Sequence, residues 1–276
     1  MNVVIVGMGI IGGSFAKAIK KYTNHTVIGI NRSEAPLNEA LAVGAIDKIG
    51  TELDLENADL IILCTFPNAA INFIKENAVY IKKHCVVTDA AGIKSKICPT
   101  MVKLARENNF IFVGSHPMAG KEKNGFGVSD ADLFLGASYI IVPCEAPRYA
   151  VNVLYHLALQ LGFGGIRITT PEEHDKMIAF TSQLPHALAC AYVLSPSCPN
   201  HNGFSAGSYR DVSRVANINA QLWSELFLEN KEPLLDELGT LIENLTQIKN
   251  SIELNDEDKL RNILKRGKAV KEALGE

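Results

Sequence analysis

Two short stretches of this 276-residue chain carry residue types that chemistry needs, at spacings that chance seldom supplies. The first is Val3-Val4-Ile5-Val6-Gly7-Met8-Gly9-Ile10-Ile11-Gly12, a β-branched run followed by G-x-G-x-x-G. Gly7 permits a tight turn, Gly9 lets backbone approach a pyrophosphate, and Gly12 lets the next helix pack on the strand. Around Met8, Ile10 and Ile11 that helix begins, and its N–H donors and positive dipole suit an anion. A strand before and a helix after make this a dinucleotide loop. The second stretch is Gly114-Ser115-His116-Pro117, following the apolar run Phe110 to Val113. A histidine at the carboxyl end of such a strand faces the ligand cleft. Its pKa near neutrality suits it to take a hydroxyl proton while hydride leaves the adjacent carbon.

Choice of dinucleotide turns on the end of the second strand, where an acid usually holds the ribose 2′-hydroxyl of NAD. Asn31 stands there instead, and Arg32 with Ser33 offers a charge-assisted pair and a hydroxyl to a 2′-phosphate. The expectation is therefore NADP or NAD, with NADP favoured. Further cleft residues come from the ends of later strands: Thr65 and Pro67 beside adenosine and ribose, Ala91 and Gly92 beside the nicotinamide.

These residues need a scaffold. Short β-branched runs near 2–6, 26–30, 60–64, 85–88, 110–113, 139–142 and 165–168 alternate with helix-period stretches over 11–22, 68–82, 94–108 and 148–161. That predicts an α/β domain over 1–168, a doubly wound, Rossmann-like parallel sheet. Thr170-Pro171-Glu172-Glu173 then has the grammar of a helix start and predicts a long helix. The remainder, 169–276, reads as all-α apart from a polar loop over 195–208. Leu234, Leu238, Leu241, Leu245, Ile248 and Ile252 are spaced 4, 3, 4, 3 and 4. This seam fits intramolecular core and a subunit interface about equally.

Composition narrows the class. With 47% apolar and 21% charged residues the chain is globular rather than disordered. A net charge of −3 gives no field to hold a nucleic acid. No run approaches the roughly 18 apolar residues of a membrane span, and the N-terminus shows neither basic region nor cleavage site. Six scattered cysteines form no C-x-x-C pair and have no histidine clustered near them, so neither zinc nor disulfides are expected. A cytoplasmic protein with reduced thiols and no metal follows.

Taken together, VVIVGMGIIGGS, DAAGIKSK, GSHPMAGKEKNG, TTPEEHDKM, SQLPHALA and SYRDVSRVANINAQLWSELFLENK, in this order and spacing over nearly the whole chain, resemble the prephenate and arogenate dehydrogenases of tyrosine biosynthesis. The resemblance implies a dinucleotide domain followed by a helical domain that forms a homodimer and completes the substrate site. It implies oxidative decarboxylation of a cyclohexadienol, driven by aromatisation, with hydride passing to NAD(P). His116 would take the hydroxyl proton and His186 would hydrogen-bond the substrate. Arg214 would clamp a substrate carboxylate, with Asp211 three residues earlier orienting it and Glu122 closing the site. Gly207 and Trp223 would border the ring and side chain. Asp175 would sit near the side chain and favour the ammonium of arogenate over the ketone of prephenate.

One position departs from the pattern: Gly92 stands where family members often carry a serine that helps hold the histidine and ring hydroxyl. Ser95, Ser115 or a water is expected to substitute. That departure keeps a second class open, a dinucleotide sensor that lost turnover. A β-hydroxyacid-dehydrogenase-like reductase is the other alternative, disfavoured by the HPMAG and LPHA motifs.

Overall fold

A computed structural model describes residues 1–121 and 123–275. Contacts divide these into two compact units, Met1–Ile178 with Asn217–Glu229, and Ala179–Ala216 with Asn230–Glu276.

The first unit is built on strand β1 (Asn2–Val6), whose Val3, Val4 and Ile5 are fully buried. Because side chains alternate, Val3 and Ile5 enter the core on one face of the sheet and Val4 and Val6 the core on the other. Both faces are covered, which explains the continuous apolar run. Helix α1 (Ile10–Tyr22) leads to β2 (Thr26–Ile30), α2 (Glu34–Ala42) and β3 (Lys48–Ile49), followed by β4 (Leu60–Leu63), α3 (Pro67–Asn77) and β5 (Val86–Asp89). Next come α4 (Lys94–Asn108), β6 (Ile111–Pro117), β7 (Ser138–Val142), α5 (Arg148–Gln160), β8 (Gly165–Ile168) and α6 (Pro171–Ile178). The strands lie in the order β3-β2-β1-β4-β5-β6-β7-β8. Strand order reverses between β1 and β4, which is where ligands bind such sheets, outside the carboxyl ends of the strands.

One pairing departs from the all-parallel expectation: β6 and β7 run antiparallel, with Gly114 opposite Val142 and His116 opposite Ile140. The physical reason is the connection. A parallel return needs a crossover helix, and among the described residues of 118–137 only the short 3₁₀ turn Phe126–Val128 is helical. Strand β8 then pairs parallel to β7 after α5 supplies such a crossover.

The helix expected after Thr170 is interrupted. A π turn over Ala179–Gln183 separates α6 from α7 (Leu184–Val193). Helix α8 (Gly207–Ser213) and a 3₁₀ turn (Arg214–Ala216) follow. Helix α9 (Ala220–Glu229) belongs to the first unit, while α10 (Lys231–Glu253) and α11 (Glu257–Ala273) belong to the second. On α10 the leucine seam divides. Leu234 is buried, Leu238, Leu241 and Ile248 are half-buried, and Leu245 and Ile252 are exposed. No helix among the described residues is long and apolar enough to cross a membrane.

Candidate active site

The glycine loop has the geometry its sequence requires. Gly7 has φ +99°, and a Cβ there would lie 2.6 Å from the Cys64 carbonyl oxygen. At Gly12 a Cβ would fall 1.9 Å from the Gly7 carbonyl oxygen, so the helix could not approach the strand with any side chain there. Gly9 is different: a Cβ would meet nothing within 4 Å. Its glycine is not explained by the chain's own packing, and the space over it is where a pyrophosphate would come. Gly9 also caps α1 without a side-chain bond, and no acid occupies the first turn, so the amides at Ile10 and Ile11 face no competing anion from that turn. The Met8 side chain is buried in the core while its amide donates to Asn31 Oδ1 at 3.0 Å. Asn31 Nδ2 in turn donates to the Ser33 carbonyl at 2.9 Å. Asn31 thus braces the loop, and Arg32 and Ser33 stand exposed at the end of β2.

Beside this loop, Thr65 Oγ1 is buried with no hydrogen-bond partner. Leaving a buried hydroxyl unpaired costs about 1–3 kcal/mol, and a bound ribose would satisfy it. Pro67 begins α3. Ala91 is fixed by its amide bond to Asp89 Oδ2 at 2.9 Å, and Gly92 has open room, a Cβ there reaching Leu226 Cδ2 at an ordinary 3.5 Å. Open space at Gly9, an uncapped helix start and the orphaned Thr65 hydroxyl together fit a dinucleotide.

His116 is the second-last residue of strand β6 and is half-buried. Its Nδ1 lies 3.0 Å from His174 Nε2, and His174 Nδ1 lies 2.6 Å from Asp175 Oδ1. The carboxylate accepts from His174 Nδ1–H, so His174 Nε2 carries a lone pair and accepts from His116 Nδ1–H. This network leaves the lone pair of neutral His116 on Nε2. Burial, then His174 and Lys94, pushes the His116 pKa well below its ordinary value, which keeps the ring in its basic form.

Asp175 is 2% exposed, and its oxygens also accept the amides of Lys94 at 2.8 Å and Ser95 at 2.7 Å. Burial raises its pKa, but the His174 bond and these amides outweigh that and bring it below the ordinary carboxylate value. Sequence reasoning gave Asp175 a substrate ammonium to read; in the fold its charge is already held by His174 and the start of α4. His174 itself was missed. The available signal was a histidine and an aspartate side by side on the face of α6 that also carries buried Ile178.

Beneath the histidines, buried Lys94 Nζ pairs with Asp89 Oδ2. The Ser115 hydroxyl donates to the Asp89 carbonyl at 2.6 Å and accepts from Thr88 Oγ1 at 2.9 Å and Tyr139 OH at 2.7 Å. It is saturated and 1% exposed, so it cannot replace a hydroxyl lacking at Gly92. Trp223, on α9 in the same unit, packs edge-on against Phe227.

The second unit holds the remaining expected substrate residues. His186 on α7 donates from Nδ1 to the Ser182 carbonyl at 2.8 Å, which puts the lone pair of the neutral ring on Nε2. Gly207 and Asp211 lie on α8, and Arg214 opens the 3₁₀ turn that follows; all three are exposed. Glu122 lies outside the described residues.

Comparison with known proteins matches this arrangement on both halves. Residues 15–164 fit the family model "Prephenate dehydrogenase, nucleotide-binding domain" and residues 170–266 "Prephenate dehydrogenase, dimerization domain". A cyclohexadienyl dehydrogenase of Zymomonas mobilis is 30% identical over 99% of this chain and 96% of its own. A prephenate dehydrogenase of A. aeolicus, solved with hydroxyphenyl propionate and NAD+, superposes with a TM-score of 0.87 at 27% identity, covering 99% of this chain and 98% of that one. For the arogenate dehydrogenase of Synechocystis the values are 0.85 and 25%, over 99% and 100% of the two chains. With both family models matched in sequence order, the chain belongs to the prephenate dehydrogenase family, nicotinamide-dependent oxidoreductases of cyclohexadienyl substrates.

Proposed function

We propose that this chain converts prephenate to 4-hydroxyphenylpyruvate, or arogenate to tyrosine, using His116 as the base. The observation that carries the assignment is the Asp175–His174–His116 relay at the carboxyl edge of the sheet that also presents the glycine loop. The dinucleotide, when bound, supplies the hydride acceptor. Gly7, Met8, Gly9, Ile10, Ile11 and Gly12 would hold its pyrophosphate, Asn31, Arg32, Ser33, Thr65 and Pro67 its adenosine end, and Ala91 with Gly92 its nicotinamide end.

His116 Nε2 accepts the ring hydroxyl proton as hydride leaves the same carbon. The new positive charge is shared with His174 and met by the Asp175 carboxylate, a task that charge performs without touching substrate. Loss of the ring carboxylate as carbon dioxide then gives the aromatic product. His186 would hydrogen-bond the substrate and Arg214 would take a carboxylate by its planar fork, with Asp211, Gly207, Glu122 and Trp223 as further substrate residues. The same reading makes the protein a homodimer through its helical unit, supported by the family's dimerization domain. It also puts the protein in the cytoplasm, where structural disulfides are rare and the six cysteines start as thiols.

The test pairs prephenate or arogenate with NAD or NADP and follows the near-ultraviolet absorbance of reduced nicotinamide. Turnover in any of the four combinations, abolished in His116→Asn with dinucleotide binding intact, supports the proposal. Silence in all four from folded protein that binds dinucleotide would make it a sensor instead.

A further inference from the structure

Cys98 and Cys144 are far apart in sequence and meet in the fold. Cys98, on α4, packs on the β6–β7 pair where Gly114 faces Val142: a Cβ on Gly114 would lie 3.1 Å from Cys98 Sγ and 3.4 Å from Val142 Cβ. Cys144 follows Val142 by two residues and joins the same apolar cluster as Cys98. Its backbone is left-handed, with φ +54°, a conformation that residues with a Cβ seldom adopt. Both cysteines line one cavity of about 380 Å³, together with Lys103, Arg106 and Glu145. Cys98 is buried there and Cys144 half-buried.

We propose that Cys98 and Cys144 form a thiol–disulfide exchange site, reached through this cavity by a small disulfide such as oxidised glutathione. The electrostatics divide the labour. Cys144 is half-buried at the cavity and its thiol is drawn below the ordinary value by its neighbour Cys98 against its burial, whereas Cys98 is buried and its thiol is pushed up by Cys144 and by that burial. Cys144 is the attacking thiolate and Cys98 the resolving thiol. The Cys144 thiolate attacks one sulfur of the small disulfide and releases one small thiol. Cys98 then gives up its proton and attacks the Cys144 sulfur, expelling the second small thiol. The protein loses two hydrogens and the reagent becomes two thiols.

The consequence for turnover rests on the proposed role of His116; the exchange itself does not. Cys98 is one helical turn beyond Lys94, whose amide holds Asp175, and Gly114 is two residues before His116. Closing the bond therefore pulls on both ends of the relay and should lower activity until a dithiol restores it.

Full-length reduced protein is incubated with oxidised glutathione, and its intact mass and non-reduced digest are measured. The expected wild-type result is a loss of two hydrogens and a peptide joining Cys98 to Cys144. Cys98→Ser should stall as a glutathione adduct on Cys144, and Cys144→Ser should give neither product. Absence of the joined peptide from the wild-type protein overturns the proposal without any variant. So does glutathione addition at Cys144 no faster than at half-buried Cys190. Joined peptide with unchanged turnover would leave the exchange site standing and show that closing the bond does not disturb the relay.

Discussion

His116 is held neutral chiefly by its burial, and that has a measurable signature. Its pKa lies below the ordinary histidine value of about 6.5. The acid limb of kcat/KM should therefore fall below pH 6.5. The stability contribution has the same sign: a histidine with a depressed folded-state pKa stabilises the fold above the unfolded value, and this is lost as pH falls through the folded value. Replacing His116 with Asn should lower turnover about 10²- to 10⁴-fold, the usual worth of a general base. His174→Phe should lower kcat with little change in KM, because the charge His116 gains can no longer be passed toward Asp175. An unchanged kcat would reduce His174 to packing. Gly92→Ser is the opposite kind of change. The side chain has room, so melting should be unaffected, and a hydroxyl bond worth ~1 kcal/mol in the transition state should raise kcat about fivefold. Unchanged kcat would show that this chain does not need the family's serine.

At the level of elements, the glycine loop separates two functions that sequence treats alike. Gly12→Ala should destabilise the fold by at least about 1–3 kcal/mol, since the added carbon strikes backbone. Gly9→Ala should leave thermal unfolding nearly unchanged and weaken dinucleotide affinity, read by quenching of Trp223 or by calorimetry. Equal affinity would place the pyrophosphate elsewhere. This loop, with its β-branched strand and following helix, was legible because local spacing dictates it. So were α1, α3, α4 and α5, whose apolar positions recur at helical period. Strand β3 was not, because two residues, Lys48 and Ile49, carry no period. The reversal of β7 was not, because direction is set by what the connection lacks. The part of His174 was hidden for a third reason: its partners are 58 residues away and next door, and sequence shows only the second.

For the whole molecule, the exposed face of α10 is the feature with consequences. Leu235, Ile242, Leu245 and Ile252, at intervals of seven, three and seven residues, are between 50% and 60% exposed. That is one helical stripe, continuous with the side on which Leu234 turns inward, since Ile252 lies about five full turns beyond Leu234. Ile242→Glu should shift the proposed dimer toward monomer in sedimentation velocity while leaving dinucleotide binding intact. A dimer of unchanged stability would mean that the stripe is not the interface.

Helix α4 begins after Ile93, which has no side chain able to cap it, and its first amides are met by Asp175, eighty residues later. The order of synthesis thus matters. While the chain emerges, the start of α4 stays open until α6 arrives, however complete the sheet already is. A fragment ending at residue 168 should bind dinucleotide through its glycine loop, yet exchange the amide hydrogens of Lys94 and Ser95 rapidly. The full chain should protect them, so that isotope exchange at two amides reports when His116 gains its partner.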